Sequence, residues 1–288
     1  MATTTSSSMI KPEVFSDMVQ GKFKGKLVIA NFAKTDTSLV GNPGEKVNFP
    51  KWGTLQDIEN DSTETTDLVP EAMSTDNVSA TVKEVGKAVE ITDRALLTGF
   101  GDPIGEAATQ VGKVVARKID ADLVTEAVTN CKASNIISNT DTSSFSDKVA
   151  DAKSLWGDEA EEIAVLLVHS KMYTFLLKDS NFISQDKYPA GVLITGAIGT
   201  LYGVPVMITD RMPCKDTLNS SEVTSRVATS LMLQRDSLAY ITKRAPLVET
   251  GRDILGRKTI ITCTAHYAVK LVNKDGLAVI KHELITQP

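Results

Sequence analysis

The chain has 288 residues, 42% of them hydrophobic, enough to bury a real core in one large domain or two smaller ones. A formal net charge of -5 with both signs mixed excludes a strongly basic field for gripping nucleic acid. Three widely spaced cysteines, Cys131, Cys214 and Cys263, include no CxxC pair, which argues against a zinc site or disulfide framework and for a reducing compartment.

The N-terminal MATTTSSSM lacks the charged and apolar regions of a signal peptide, and the longest apolar run, Ile163 to Val168, is far below the roughly 20 residues that span a bilayer. The chain therefore reads as soluble and cytoplasmic. Residues Ala2 to Ser8 are small and polar, with too little apolar surface to offset the entropy of ordering. In KPEVFSDMVQGKFKGK, Pro12 suits a first helical turn, and Val14, Phe15, Met18 and Val19 line one face. Gly21 and Gly25 limit this helix, and Lys22, Lys24 and Lys26 form a basic cluster. It either belongs to an arm that buries Phe15 against something else or packs on its own domain.

A Gly-Pro-Gly turn region at Gly41 to Gly44 precedes KVNFPKW, where Val47 and Phe49 alternate and Pro50 confines the strand that ends in Trp52 to an edge. From Asp57 to Asp76 run seven acidic residues and no basic ones, Asp57, Glu59, Asp61, Glu64 and Asp67 among them. The run reads as a solvated loop or as an intersubunit contact against Lys22, Lys24 and Lys26 or against Arg252, Arg257 and Lys258. In the return segment VSATVKEVGKAVEIT, Val78, Ala80 and Val82 share one face, whereas Val85, Val89 and Ile91 have the opposite parity. A bulge around Glu84 to Gly86 would reconcile the halves. The two segments form a long arm with an acidic tip, marginal alone in water and in need of a surface to lie on.

Then comes the strongest local signal. Asp102 fits an N-cap, Pro103 the first helical position and Glu106 the positive end of the dipole. Ile104, Ala108, Val111, Val115, Ile119, Leu123 and Ala127 recur three or four apart, which predicts a helix of about 27 residues, roughly 40 Å long. Asp120, Asp122 and Glu126 read as its solvated side. After the polar stretch Ser134 to Ser144, Ser146 to Trp156 reads as an amphipathic helix and Ile163 to Val168 as a buried strand. Ser170 can cap the helix that carries Met172, Tyr173, Phe175, Leu176 and Leu177, and Val204 to Ile208 reads as another strand. Asp216 to Ser225 reads as loop. From Ile261 onward, Cys263, Ala265, Tyr267, Val269 and Leu271 alternate with more polar residues, and Asn273-Lys274-Asp275-Gly276 reads as a hairpin turn into a last strand, Leu277 to Glu283.

Chemistry is hard to find. Gly99, Gly101 and Gly105 are spaced G-x-G-x-x-x-G with no parallel strand before them, so a capped helix start explains them better than a dinucleotide site. His169, His266 and His282 lie on separate segments without a ligand partner at metal spacing. For His169, ring burial or bonding at a helix end is the simpler role. No nucleophile elbow occurs, so no catalytic, cofactor or metal residue is assigned.

Element order carries the identification. The edge-strand and return-strand arm (KVNFPKW … TVKEVGKAVEITD), the helix opening (ALLTGFGDPIGEAATQVGKVVARKIDADL) and the strand-helix-strand region (IAVLLVHSKMYTFLLKD … GAIGTLYGVPVMITDRMP) follow one another as in tailed-phage major capsid proteins. Across nearly its whole length the chain resembles that family, whose fold is shared with encapsulin shells. The resemblance implies an α+β fold with an N-terminal arm over 1–32 and a peripheral domain over 33–145. That domain would hold an extended β-hairpin loop at about 44–93 and a long spine helix at about 102–129. An axial domain would span 146–233, and C-terminal strands over 234–288 would return to the peripheral domain. It implies a non-enzymatic subunit, without cofactor or metal, that assembles with itself as hexamers and pentamers into the icosahedral or prolate head shell of a phage, enclosing double-stranded DNA without sequence-specific binding.

Some relatives carry a large cleaved scaffolding region, and the short arm here implies a separate scaffolding protein, with a portal as a further partner. Others cross-link a lysine to an asparagine; no motif assigns such a pair here. Assembly would take place in the host bacterial cytoplasm, the product being the virion, with no membrane. The residues expected at subunit interfaces are Phe15, Lys22, Lys24, Lys26, Trp52, Asp57, Glu59, Asp61, Glu64, Asp67, Arg252, Arg257 and Lys258. The alternatives are an encapsulin-type compartment shell and a soluble α+β enzyme with a non-sequential site.

Overall fold

A computed structural model describes residues 27–52, 72–99, 102–138, 144–157, 162–178, 199–219 and 222–284. In chain order its strands are β1 (Lys34–Asp36), β2 (Lys46–Trp52), β3 (Thr75–Thr81), β4 (Lys83–Thr92), β5 (Ile136–Ser138), β6 (Ile163–Val168), β7 (Thr200–Leu201), β8 (Val204–Ile208), β9 (Cys214–Asn219), β10 (Glu222–Gln234), β11 (Leu238–Asp253), β12 (Lys258–Leu271) and β13 (Leu277–Leu284). The helices are α1 (Asp93–Thr98), α2 (Pro103–Asn130), α3 (Phe145–Ser154) and α4 (Ser170–Lys178).

These strands make a four-stranded sheet ordered β1-β11-β12-β4, a seven-stranded sheet ordered β5-β13-β10-β6-β8-β7 with β9 on β10, and a two-stranded ribbon of β2 and β3. The seven-stranded sheet is covered on both faces. Val165, Leu167, Leu231, Leu233 and Val279 face one core, and Leu166, Val168, Met232, Ala278 and Ile280 face another with α3 and α4. A strand buried on both sides has no polar face, which is why β6 reads as the unbroken run IAVLLV.

Helix α2 begins as its sequence predicts. The Asp102 carboxylate accepts the Ile104 N–H at 3.1 Å, Pro103 follows, and 28 residues give a rod of about 42 Å. Ala108, Val111, Val115, Ile119, Leu123 and Ala127 are buried against the four-stranded sheet, where Ile261, Cys263, Ala265 and Tyr267 supply the facing layer.

Five expectations change. The parity switch between Val78–Val82 and Val85–Ile91 is a change of sheet: β3 pairs with β2, β4 pairs with β12, and Val82 between them donates to the Glu45 carbonyl at 2.8 Å. No bulge at Glu84 to Gly86 is needed, because the β4–β12 register is unbroken there. Residues 216–219 and 222–225 are strand; Asp216 stands opposite Arg226, and the guanidinium grips the carboxylate through two bonds of 2.6 and 3.0 Å. The cap of α4 is the ring of His169, whose Nδ1 accepts the Lys171 N–H at 3.0 Å, while Ser170 is already helical. Asp120 has no exposed surface and Asp122 and Glu126 are largely covered, because the helix is enclosed on more than its sheet-facing side.

The fifth concerns Asn273 to Gly276, which does not close a hairpin. β12 lies in the four-stranded sheet and β13 in the seven-stranded one. β10 pairs with β13 and β11 with β12, both antiparallel, so 222–253 and 258–284 form one ribbon that crosses from sheet to sheet. The turn that closes it is 254–257.

Candidate functional site

Two ends of the four-stranded sheet carry the features that a self-contained monomer would not need. At one end the β2–β3 ribbon departs. Val47 stands opposite Ala80 and Phe49 opposite Val78, which gives the ribbon one apolar face. Ala80 is buried with Leu39, Ile241 and Ala268, and Val47, Phe49 and Val82 pack around them. Beyond this base, Thr75, Asp76 and Asn77 are exposed.

Lys83 follows the break and clamps the departure angle. Its ammonium lies 2.8 Å from the Asp122 carboxylate on α2 and 5.4 Å from the centre of the Tyr267 ring. Asp122 also accepts the Tyr267 hydroxyl at 2.5 Å and pairs with Lys118 at 2.9 Å. Burial by itself would raise the Asp122 carboxyl. The bonds from Lys83, Tyr267 and Lys118 outweigh that and hold it below the ordinary carboxylate range. The Tyr267 phenol is driven up by burial and by its bond to Asp122.

At the other end sits the turn 254–257. The Asp253 carboxylate accepts the N–H groups of Leu255 and Gly256 at 3.1 and 3.0 Å, and Arg257 takes a left-handed φ of 48°. A side chain at residue 256 would meet the Asp253 carboxylate at 2.5 Å and force it to shift from the two N–H groups it holds. This geometry holds Ile254 and Leu255 out in solvent, 78% and 96% exposed. Helix α1 abuts the same end through the Asp93 N–H, which donates to the Arg257 carbonyl at 3.0 Å, and it carries Leu97, 86% exposed. Arg252 pairs with Asp93 at 2.8 Å and Lys258 with Glu90 at 2.7 Å.

Of the expected interface residues, Arg252, Arg257 and Lys258 come together at this turn. Trp52 closes β2 opposite Thr75. Phe15, Lys22, Lys24, Lys26, Asp57, Glu59, Asp61, Glu64 and Asp67 lie outside the described residues. The sequence reading missed Ile254 and Leu255, whose signal was a pair of large apolar residues placed between Asp253 and Gly256, a turn-forming pair. It also missed the Lys83–Asp122–Tyr267 clamp, which joins three distant segments and leaves no local pattern.

Several titratable groups are buried in the packing. His282 Nδ1 accepts from the buried Lys148 amino group at 2.6 Å, and its ring lies tilted against Phe175 with centroids 4.7 Å apart. Burial lowers the Lys148 amine and lifts the Cys263 thiol to about 11, so the latter is protonated and inert at neutral pH. Among the described residues no group of three or more His, Cys, Asp or Glu converges to hold a metal ion, and no helix is long and apolar enough to cross a membrane. A hollow of about 630 Å³ is lined by residues that include Asn31, Phe32, Ile163, Pro205, Arg235 and Asp236, with no nucleophile beside a base among the described residues.

Comparison with known proteins identifies the same architecture. A family model described as phage capsid protein matches residues 75–281. The major capsid protein of Staphylococcus phage phiMR11 is 28% identical over 277 residues, covering 94% of this chain and 93% of that protein. The capsid structure of cyanophage P-SCSP1u superposes with a TM-score of 0.71 at 11% identity, covering 88% of this chain and 87% of that one. The holo-SrpI encapsulin complex from Synechococcus elongatus gives 0.61 at 13% identity, covering 97% and 91%.

Proposed function

The chain belongs to the phage capsid protein family, and from that premise we propose that it is the major shell subunit of a tailed phage, a structural protein that works by binding copies of itself rather than by catalysis. The observation that carries this reading is the sheet end where Ile254, Leu255 and Leu97 stand in water, an arrangement that favours a partner and costs a lone monomer solubility.

Charge gives that partner an orientation. The ribbon leads to the acidic run and leaves the sheet where Lys83 faces Tyr267; the turn with Arg252, Arg257 and Lys258 lies where Thr92 faces Lys258. The two ends of β4 are nine residue steps apart, about 30 Å at roughly 3.3 Å per residue. Arg252 and Lys258 are already paired with Asp93 and Glu90, so the attraction at the far end falls chiefly to Arg257. An acidic run and this cation at separated ends favour head-to-tail contacts between copies, the kind that closes into rings when the rotation allows. Each exposed ion pair contributes only about 0–1 kcal/mol, so many repeats are required, and a closed shell supplies them.

In this reading 1–32 is the N-terminal arm, anchored on its own subunit through Ile29 and Ala30 and reaching a neighbour with its earlier residues. Residues 33–145 are the peripheral domain with its overlapping loop, 146–233 the axial domain around local symmetry axes, and 234–288 the strands that return. Hexamers and pentamers assemble in the host cytoplasm with a separate scaffolding protein and a portal, and the shell encloses double-stranded DNA without reading its sequence. A mildly acidic subunit suits that task, since a cationic wall would hold the genome. The encapsulin likeness keeps one second reading, a compartment with a protein cargo. Negative-stain microscopy of the chain expressed with and without its neighbouring genes tests both. Closed shells filled with DNA support the phage head, shells loaded with an enzyme support the compartment, and a discrete small oligomer under every condition contradicts either.

A further inference from the structure

Asp120 sits in the middle of α2 with no exposed surface, and among the described residues its carboxylate is bonded by groups from other segments of the chain. Its Oδ1 accepts the N–H groups of Ile29 and Ala30 at 3.1 and 3.2 Å. Its Oδ2 accepts the Val28 N–H at 3.0 Å and lies 3.0 Å from the Arg211 guanidinium. Three successive backbone donors and one cation thus fill the acceptor sites of a single carboxylate.

The donors belong to parts of the fold that are otherwise distant. Residues 28–30 are where the N-terminal segment reaches the core, with Ile29 and Ala30 buried beside α2. Arg211 lies in the connection from β8 to β9, which hangs from the seven-stranded sheet through the Thr209 N–H on the Val168 carbonyl at 2.9 Å. Met212, next along, inserts into the same core as Ile29. A buried carboxylate that loses a partner keeps its desolvation cost, so it resists release of either one.

We propose that Asp120 is a positioning residue that couples the N-terminal segment to the β8–β9 connection, so that the two can shift on the long helix only together. Arg211 neutralises the carboxylate that orients residues 28–30, and those N–H groups in turn hold the carboxylate where Arg211 can reach it. Coupling of this kind is reciprocal. It would transmit a movement of the seven-stranded sheet to the direction in which the arm leaves the subunit.

Hydrogen exchange on the purified full-length chain tests this, whatever its state of assembly, so failure of shell formation does not confound the result. Arg211→Gln is expected to speed exchange of the Val28, Ile29 and Ala30 amides at least tenfold, although Arg211 bonds to none of them, and Arg211→Lys to recover most of the protection. Unchanged amides at 28–30 alongside faster exchange at 209–212 would overturn the coupling and leave Arg211 a local support. Should the glutamine variant fail to fold, native-state exchange of the unaltered chain in rising urea decides instead. The amides of 28–30 and of Arg211 are expected to open in one event with one urea dependence, and separate openings would refute the proposal.

Discussion

Gln234 donates its backbone N–H to the Gly276 carbonyl at 2.9 Å, and this bond lies where both strands of the long ribbon leave one sheet for the other. Ser237 completes the joint. Its hydroxyl reaches the carbonyls of Gln234 and Gly276 at 2.7 and 2.8 Å, and its carbonyl accepts from Val272 and Asn273 at 2.9 and 3.1 Å. The two cores are therefore joined through a kink rather than a linker, and disturbance at the kink should reach both.

Gly276→Ala is expected to show this. A methyl group there would meet the Ser237 hydroxyl, already committed to two carbonyls, at 2.7 Å and the Gln234 side chain at 2.9 Å. The overpacking should cost about 1–3 kcal/mol. Urea unfolding followed by tryptophan fluorescence reports it through Trp156, whose indole donates to the Asp275 carbonyl at 2.7 Å.

The clamp at Asp122 predicts a pH dependence. Its carboxyl is held below the ordinary value of 3.8, so it stabilises the folded chain above that pH, and the contribution is lost as pH falls through the lower folded value. Tyr267→Phe removes one of the bonds that lower it. The variant should lose roughly 1.5–3 kcal/mol at neutral pH, the usual size for a bond to a charged group. It should also lose less further stability between pH 4 and pH 2 than the parent, as read from urea midpoints across that range.

Asp102→Ala probes the start of α2. Loss of the side-chain acceptor for the Ile104 N–H should cost about 1 kcal/mol, with the helix otherwise intact by circular dichroism.

Replacing the exposed pair tests the assembly end. Ile254→Ser with Leu255→Ser removes no buried contact, so the unfolding midpoint should stay within about 0.5 kcal/mol of the parent. Sedimentation should show the yield of large particles falling sharply. Unchanged particle yield would move the contact elsewhere.

How much of this was legible depended on whether a signal was local. Asp102, Pro103 and the spacing from Ile104 to Ala127 lie within one helix, and the spine was readable from them. The change of parity after Val82 was visible too, but a bulge and a change of sheet leave the same pattern in one strand; the partner strands decide, and β2 and β12 are far away in the chain. Asn273 to Gly276 has the composition of a hairpin turn because a kink needs the same tight backbone. Its true role depends on Gln234 and Ser237, some forty residues earlier, which no window around it contains. Asp120 looked solvated because charged neighbours surround it in sequence, while the N–H groups that bury it come from residues 28–30.

The central claim is that the ribbon beyond its base is finished by a neighbouring copy, and hydrogen exchange along β2 and β3 measures this most directly. Val78 and Ala80 rest on the base, whereas Thr75 to Asn77 are exposed within one subunit. Compared between assembled particles and released subunits, the amides of 75–77 should exchange at least tenfold more slowly in the particles. Equal protection in both states would mean that the ribbon is complete on its own and that copies do not meet there.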